Sequence, residues 1–83
     1  MEKLLYPLAT EKAIRLIESD NVITFIVADK ATKNGVQKEF QEKFKAKAQA
    51  IRIVRTTGGT KKAYIKLPRS QPAIDVATQL GLM

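Results

Sequence analysis

Apolar residues along this chain recur with two different periods, and the periods alternate. Leu4-Leu5-Tyr6 is a short apolar start closed by Pro7, whose fixed φ and missing N–H end or bend what precedes it. From Thr10, a good helix N-cap, the spacing becomes helical. Ala13, Leu16 and Ile17 share one face with Ile14 at its margin, until Asp20-Asn21 breaks the pattern. Val22-Ile23-Thr24-Phe25-Ile26-Val27 is β-branched and aromatic and too short for a helix, which predicts a central strand. Thr32 is a second N-cap. After it Val36, Phe40 and Phe44, at spacing i, i+4, i+8, predict a helix of about 14 residues with Lys33, Lys38 and Lys43 turned outward. Gly35 in its first turn weakens the start by roughly 0.5–1 kcal/mol relative to alanine.

Ile51 to Leu67 then alternates with period two on both sides of Thr57-Gly58-Gly59-Thr60, and Gly-Gly suits the positive φ of a tight hairpin turn. Ile51, Ile53, Ala63, Ile65 and Leu67 fall on the buried face. Arg52, Val54, Lys62, Tyr64 and Lys66 fall on the other. Arg55 is in phase with the buried face but close enough to the tip to reach water. Ser70 and Pro72 announce a last short helix with Ile74, Ala77 and Leu80 inward and Gly81 as its C-terminal cap. The order is strand, helix, strand, helix, hairpin, helix. It predicts an α+β fold, a mostly antiparallel sheet of three to four strands with helices packed on one face, in the manner of a ferredoxin-like or split β-α-β sandwich.

Length and composition narrow the functions open to such a fold. With 83 residues the chain reads as one domain, 1–83, whose folded form buries only roughly 60–65% of the surface of the unfolded chain. It has no cysteine and no histidine, which removes disulfides, thiolate nucleophiles and the usual zinc ligands. No run approaches the roughly 18 apolar residues of a membrane span, and the first residues lack the apolar core and cleavage site of a secretory signal, so an intracellular protein is expected. General acid–base catalysis most often uses histidine. Glu11, Glu18, Glu39 and Glu42 read as solvated helix-face charges rather than a converging pair. Gly58-Gly59-Thr60-Lys61 resembles a phosphate loop only superficially, since it sits in a hairpin and not before a helix. An enzyme, a metal site and a small-molecule cofactor are therefore not expected.

Charge points elsewhere. The formal net charge is +7, and its distribution is uneven. Between Glu42 and Asp75 there is no acid but nine bases: Lys43, Lys45, Lys47, Arg52, Arg55, Lys61, Lys62, Lys66 and Arg69. A surface that merely confers solubility mixes both signs. Flexible cations can neutralise phosphates and release counterions, and Tyr64 among them can stack on an unpaired base or a ribose. The chain has neither the Gly-x-x-Gly of a KH domain nor the aromatic-rich strands of an RRM, which leaves recognition of a folded RNA by its shape and phosphates. The competing reading is a free-standing module that binds an acidic protein; it requires a soluble pool of the protein.

Four blocks carry a family resemblance: Pro7-Leu8-Ala9-Thr10-Glu11-Lys12-Ala13, Thr24-Phe25-Ile26-Val27, Ala31-Thr32-Lys33 opening a helix to Phe44, and Lys61-Lys62-Ala63-Tyr64-Ile65-Lys66-Leu67. In this order and spacing the chain resembles the universal large-subunit ribosomal protein L23 family, and Ala77-Thr78-Gln79-Leu80-Gly81 is similar to its short archaeal form. The resemblance implies a sheet with helices on one face and large-subunit ribosomal RNA as partner. The RNA-binding set is then Lys12, Lys33, Arg52, Arg55, Lys61, Lys62, Tyr64, Lys66 and Arg69. It further implies neighbouring large-subunit proteins, a place in the cytoplasmic ribosome at the rim of the polypeptide exit tunnel, and docking of nascent-chain factors such as the signal recognition particle, with Glu11 at the docking position. Three departures stand out. The family usually has Val-Asn-Thr at Ile51-Arg52-Ile53, so an RNA contact of that asparagine is either lost or replaced by Arg52. It has an acidic or polar residue at Gly35, and a Gly-Val pair at Lys45-Ala46. The hairpin tip is short, without the long extension of bacterial relatives.

Overall fold

In the computed structural model, which describes residues 4–56 and 58–82, the two threonines cap the first two helices. Thr10 Oγ1 accepts the Ala13 N–H at 3.2 Å to start α1 (Glu11–Asp20), and Thr32 Oγ1 accepts the Gly35 N–H at 3.2 Å to start α2 (Lys33–Phe44). Each oxygen satisfies an N–H that a helix start leaves without a partner. α2 has 12 residues, about half a turn fewer than its apolar stripe suggests, because Lys45 turns into the left-handed region at φ 54 and its N–H closes on the Gln41 carbonyl. Asn21 ends α1 in the same conformation at φ 58.

Strands β1 (Leu4–Pro7), β2 (Val22–Val27), β3 (Ala50–Arg55) and β4 (Lys61–Lys66) form one sheet in the order β1-β2-β4-β3, with every neighbouring pair antiparallel. β2 and β3 therefore run parallel with β4 between them, and α2 makes the crossover of a split β-α-β unit. The fold is α+β, as the sequence pattern predicts. The β2–β4 register pairs Ile23 with Ile65 and Phe25 with Ala63. Their common face meets Ile17 of α1, Val36 and Phe40 of α2, and Ala73, Val76 and Ala77 of α3 (Ala73–Gln79). Phe40 is fully buried, edge-on to Phe25 with ring centres 6.2 Å apart and 4.9 Å from Phe44. Helical and strand periodicity thus converge on one core.

α3 departs from expectation by one position. Ala73, Val76 and Ala77 are buried and Leu80 is half-buried, whereas Ile74, expected inward, is 45% exposed. The reason lies outside the helix. Its cap position is Pro72, which offers no side-chain acceptor, and Ser70 does not cap it. Instead Asn21 Oδ1 accepts the Ala73 N–H at 2.6 Å. The helix starts at Ala73, and the i, i+3, i+4, i+7 stripe becomes Ala73, Val76, Ala77 and Leu80. Asn21 Nδ2 also donates to the carbonyls of Leu67, Pro68 and Gln71 at 2.9, 3.1 and 3.2 Å. Gly81, at φ 78, closes the other end as expected. Its N–H donates to the Thr78 carbonyl at 3.1 Å, and the Leu82 N–H to the Ala77 carbonyl at 2.9 Å, a Schellman motif.

The hairpin closes through Thr56 and Thr60. The Thr56 N–H donates to the Thr60 carbonyl at 2.8 Å, and the Gly59 N–H to the Thr56 carbonyl at 3.0 Å. Of the two glycines only Gly59 takes a positive φ, 83. That is a hairpin loop closed by one left-handed glycine. Thr57, the first residue of the expected turn, lies outside the described residues. Glu39 is not the solvated charge expected: half-buried, its Oε2 accepts the Leu4 N–H at 2.6 Å and ties β1 to α2.

Candidate nucleic-acid interface

Residues paired across antiparallel strands share a face of the sheet. The register therefore assigns the face opposite the core row by row. Tyr6, Ile26, Lys62 and Val54 make one row; Thr24, Tyr64 and Arg52 the next; Val22, Lys66 and Ala50 the last. Arg52 and Lys66 are exposed, and Lys62 and Tyr64 are half-buried. This is the grouping the alternation predicts, with one addition. While Ile17 enters the core, the other flank of α1 presents Lys12 and Leu16 to this second face. With Val22, Arg52, Val54 and Tyr64 they line a hollow of about 410 Å³. Lys12, far from the acid-free stretch in sequence, thus stands beside Arg52 and Tyr64. Among the described residues, none of Lys12, Arg52, Lys62 and Lys66 is in an ion pair.

The remaining candidates are elsewhere. Arg55 and Lys61 project from the helix side of the hairpin tip. Arg55 Nη1 lies 2.6 Å from Asp29 Oδ1, and Lys61 Nζ donates to the carbonyls of Asp29 at 3.2 Å and Ala31 at 2.8 Å. The hydrogen bond from Arg55, and then its charge, hold the Asp29 carboxyl below the usual aspartate range. Both cations are engaged in fastening the loop between β2 and α2. Lys33 is exposed in the first turn of α2, in the helical layer. Arg69, exposed in the loop after β4, joins Lys66 in a different hollow of about 600 Å³ beside Asn21. A stretch contiguous in sequence is therefore divided in space. The fold gathers Lys12, Arg52, Lys62, Tyr64 and Lys66 and separates them from Lys33, Arg55 and Lys61, while Arg69 meets the group only at Lys66.

Glu11 opens α1 with its side chain 89% exposed, 3.4 Å from Arg15 one turn on. An exposed pair of this kind contributes little, so the carboxylate remains available to a partner. One member of the face went unnoticed in the sequence. Thr24 is buried, and among the described residues its Oγ1 is the buried side-chain polar atom without a hydrogen bond. The residue borders a small hollow of about 30 Å³, lined also by Lys12, Leu16, Lys62 and Tyr64. Leaving such a group unpaired costs a fold about 1–3 kcal/mol. The signal was a lone polar residue, in phase with Tyr64, within an otherwise apolar strand. Among the described residues no three acids could hold a metal ion together, and no helix is long and apolar enough to cross a membrane.

The model of the family described as Ribosomal protein L23 matches residues 2–72. The chain belongs to the ribosomal protein L23 family. It is also similar to the large ribosomal subunit protein uL23 of Trypanosoma brucei brucei, 38% identical over 78 residues that make up 94% of this chain and 48% of that protein. The chain thus spans about half the length of this L23 relative. The family is one of ribosomal proteins, which are structural components and not enzymes. All nine candidate RNA contacts fall within the segment that matches the L23 family, and α3 falls beyond it.

Proposed function

We propose that this protein is a structural constituent of the large ribosomal subunit that binds its ribosomal RNA through the face carrying Arg52, Lys62, Tyr64 and Lys66, with Lys12 alongside. The observation that carries this reading is the set of four cations around one ring, on one surface and free of ion pairs among the described residues. No acid among the described residues pairs with these charges, so a phosphate backbone would compensate them with release of counterions. Family membership supplies the particle. It also supports a place beside the polypeptide exit tunnel of cytoplasmic ribosomes, among other large-subunit proteins. There the exposed Glu11 would meet a basic partner among the nascent-chain factors, the signal recognition particle included.

The test is binding to fragments of large-subunit ribosomal RNA over a salt series. With about four phosphates neutralised, affinity should fall roughly a hundredfold from about 50 to about 200 mM salt. A flat dependence would rule the reading out. Sedimentation of a cell lysate provides the second check: the protein should travel with large subunits, and a predominantly free pool would favour the acidic-partner module instead.

A further inference from the structure

We infer that the hollow between α1 and the sheet is a receptor for one unpaired nucleotide of RNA, with its base against Tyr64 and its flanking phosphates between Lys12 and Arg52. The inference rests on the RNA-binding reading above and goes beyond it, because phosphate contact alone needs no pocket. A cationic strand face that follows a duplex backbone can be flat. This one is dished: a broad, shallow hollow of about 410 Å³, open to solvent, lies beside Tyr64. Its lining is of two kinds. Leu16, Val22 and Val54 give apolar wall and Tyr64 an aromatic surface, while Lys12 and Arg52 contribute a cation from the helix and one from the sheet. Apolar and aromatic surface suits the face of a base, and cations suit the phosphates on either side of it. A base still paired within a helix does not offer that face.

Thr24 supplies the independent observation. Only 4% of it is exposed, its buried hydroxyl has no partner among the described residues, and the residue borders the adjoining hollow of about 30 Å³, which shares Lys12, Leu16 and Tyr64 with the larger one. A hydroxyl can both donate and accept, so a single water or nucleotide atom that reaches the small hollow can complete it. Buried polar groups are otherwise paired in folded proteins, so this one is left for an ordered water or a ligand atom to complete. The arrangement thus contains a stacking surface, an apolar wall, two phosphate partners and one unsatisfied polar group.

The experiment uses the full chain and three RNA stems of one sequence: fully paired, with a single-nucleotide bulge, and with an abasic residue in the bulge. Binding to each is measured over a salt series. The bulged stem should bind about tenfold more tightly than the other two, with similar salt slopes for all three. The chain has two tyrosines and no tryptophan, so in a Tyr6→Phe background Tyr64 emission is read alone. The bulged stem should quench it and the abasic stem should not. Thr24→Val keeps the branched shape, removes the hydroxyl and should leave the melting temperature unchanged or higher, while the preference for the bulge falls severalfold. Tyr64→Val should abolish the preference. Should Tyr64→Val fail to fold, the abasic stem and Thr24→Val still decide. Equal affinity for the three stems at a steep salt slope overturns the pocket and leaves the RNA reading intact. So does a preference that survives both substitutions, or one without the quench. Weak, salt-independent binding to all three overturns both.

Discussion

Replacing Asn21 should loosen two elements that are distant in sequence, and the structure sets the size of the effect. The side chain makes four hydrogen bonds: Oδ1 to the Ala73 N–H at 2.6 Å, and Nδ2 to the carbonyls of Leu67, Pro68 and Gln71. Nδ2 has two hydrogens for three carbonyls, so about three bonds' worth is at stake. At about 0.5–1.5 kcal/mol net each, partly exposed, Asn21→Gly should cost about 2–3 kcal/mol. Glycine adopts the φ of 58 without strain, so this variant isolates the side chain. Asn21→Ala loses the same bonds and must also place a Cβ in the left-handed region, for roughly 1 kcal/mol more. A chain of this length has a total stability on the order of 4–12 kcal/mol. The glycine variant should therefore melt about 10–20 °C lower. Urea unfolding followed by circular dichroism gives the energies, and hydrogen exchange at the Ala73 amide locates the loss at the start of α3. A glycine variant within about 0.5 kcal/mol of the parent, or an alanine variant equal to the glycine one, would refute this account.

Lys45→Gly should stabilise the protein by about 0.5–1 kcal/mol, because a lysine now holds φ 54 at the end of α2; a lower urea midpoint would contradict this. Arg52→Ala and Lys62→Ala should each lower the salt slope of RNA binding by about one, whereas Arg55→Ala should leave it unchanged, since Arg55 is held by Asp29. Equal losses of slope for all three would mean that the tip pair opens to meet RNA. The Asp29 carboxyl lies low because Arg55 favours its charged form, so the pair adds stability above the unfolded aspartate range, near about pH 3.9, that is lost as pH falls through the folded value. In Arg55→Met the Asp29 titration followed by NMR should move upward and the acid side of the stability profile should flatten; an unmoved midpoint would exclude Arg55 as the cause.

What could be read from the chain beforehand was whatever is local. Thr10 and Thr32 cap the helices that follow them, and strict alternation assigns Arg52 and Tyr64 to the face away from Ile53 and Ile65. Interactions between distant segments were not legible. Asn21 marks a helix end in the sequence, but its bond to Ala73, which turns Ile74 outward, depends on how α1 and α3 meet. Counting charge along residues 43 to 69 made one group of cations that the register then divided. The ladder keeps Arg52, Lys62 and Lys66 together and sends Arg55 and Lys61 to the loop at Asp29. Lys12 joined the RNA-binding set through the family resemblance. Its place beside Arg52 follows from α1 showing one flank to each side of the sheet. Thr24 could be seen as a polar residue in an apolar strand, but not as one without a partner.

The interleaving of β4 between β2 and β3 also bears on synthesis. β2 pairs with β4 from Val22 with Lys66 to Val27 with Lys61, across 34 to 44 positions of chain. As the chain elongates, the apolar run from Ile23 to Val27 has no inner neighbour until residue 66 has been made, and β1 offers it only the outer edge. Long-range pairings of this kind form slowly and leave sticky surface uncovered meanwhile. The β3–β4 hairpin, by contrast, closes over a few residues and brings five of the fifteen basic residues, and no acid, with it. Nascent copies therefore need shelter for their first half, and should become competent to meet RNA in one late step, when the hairpin slots in beside β2.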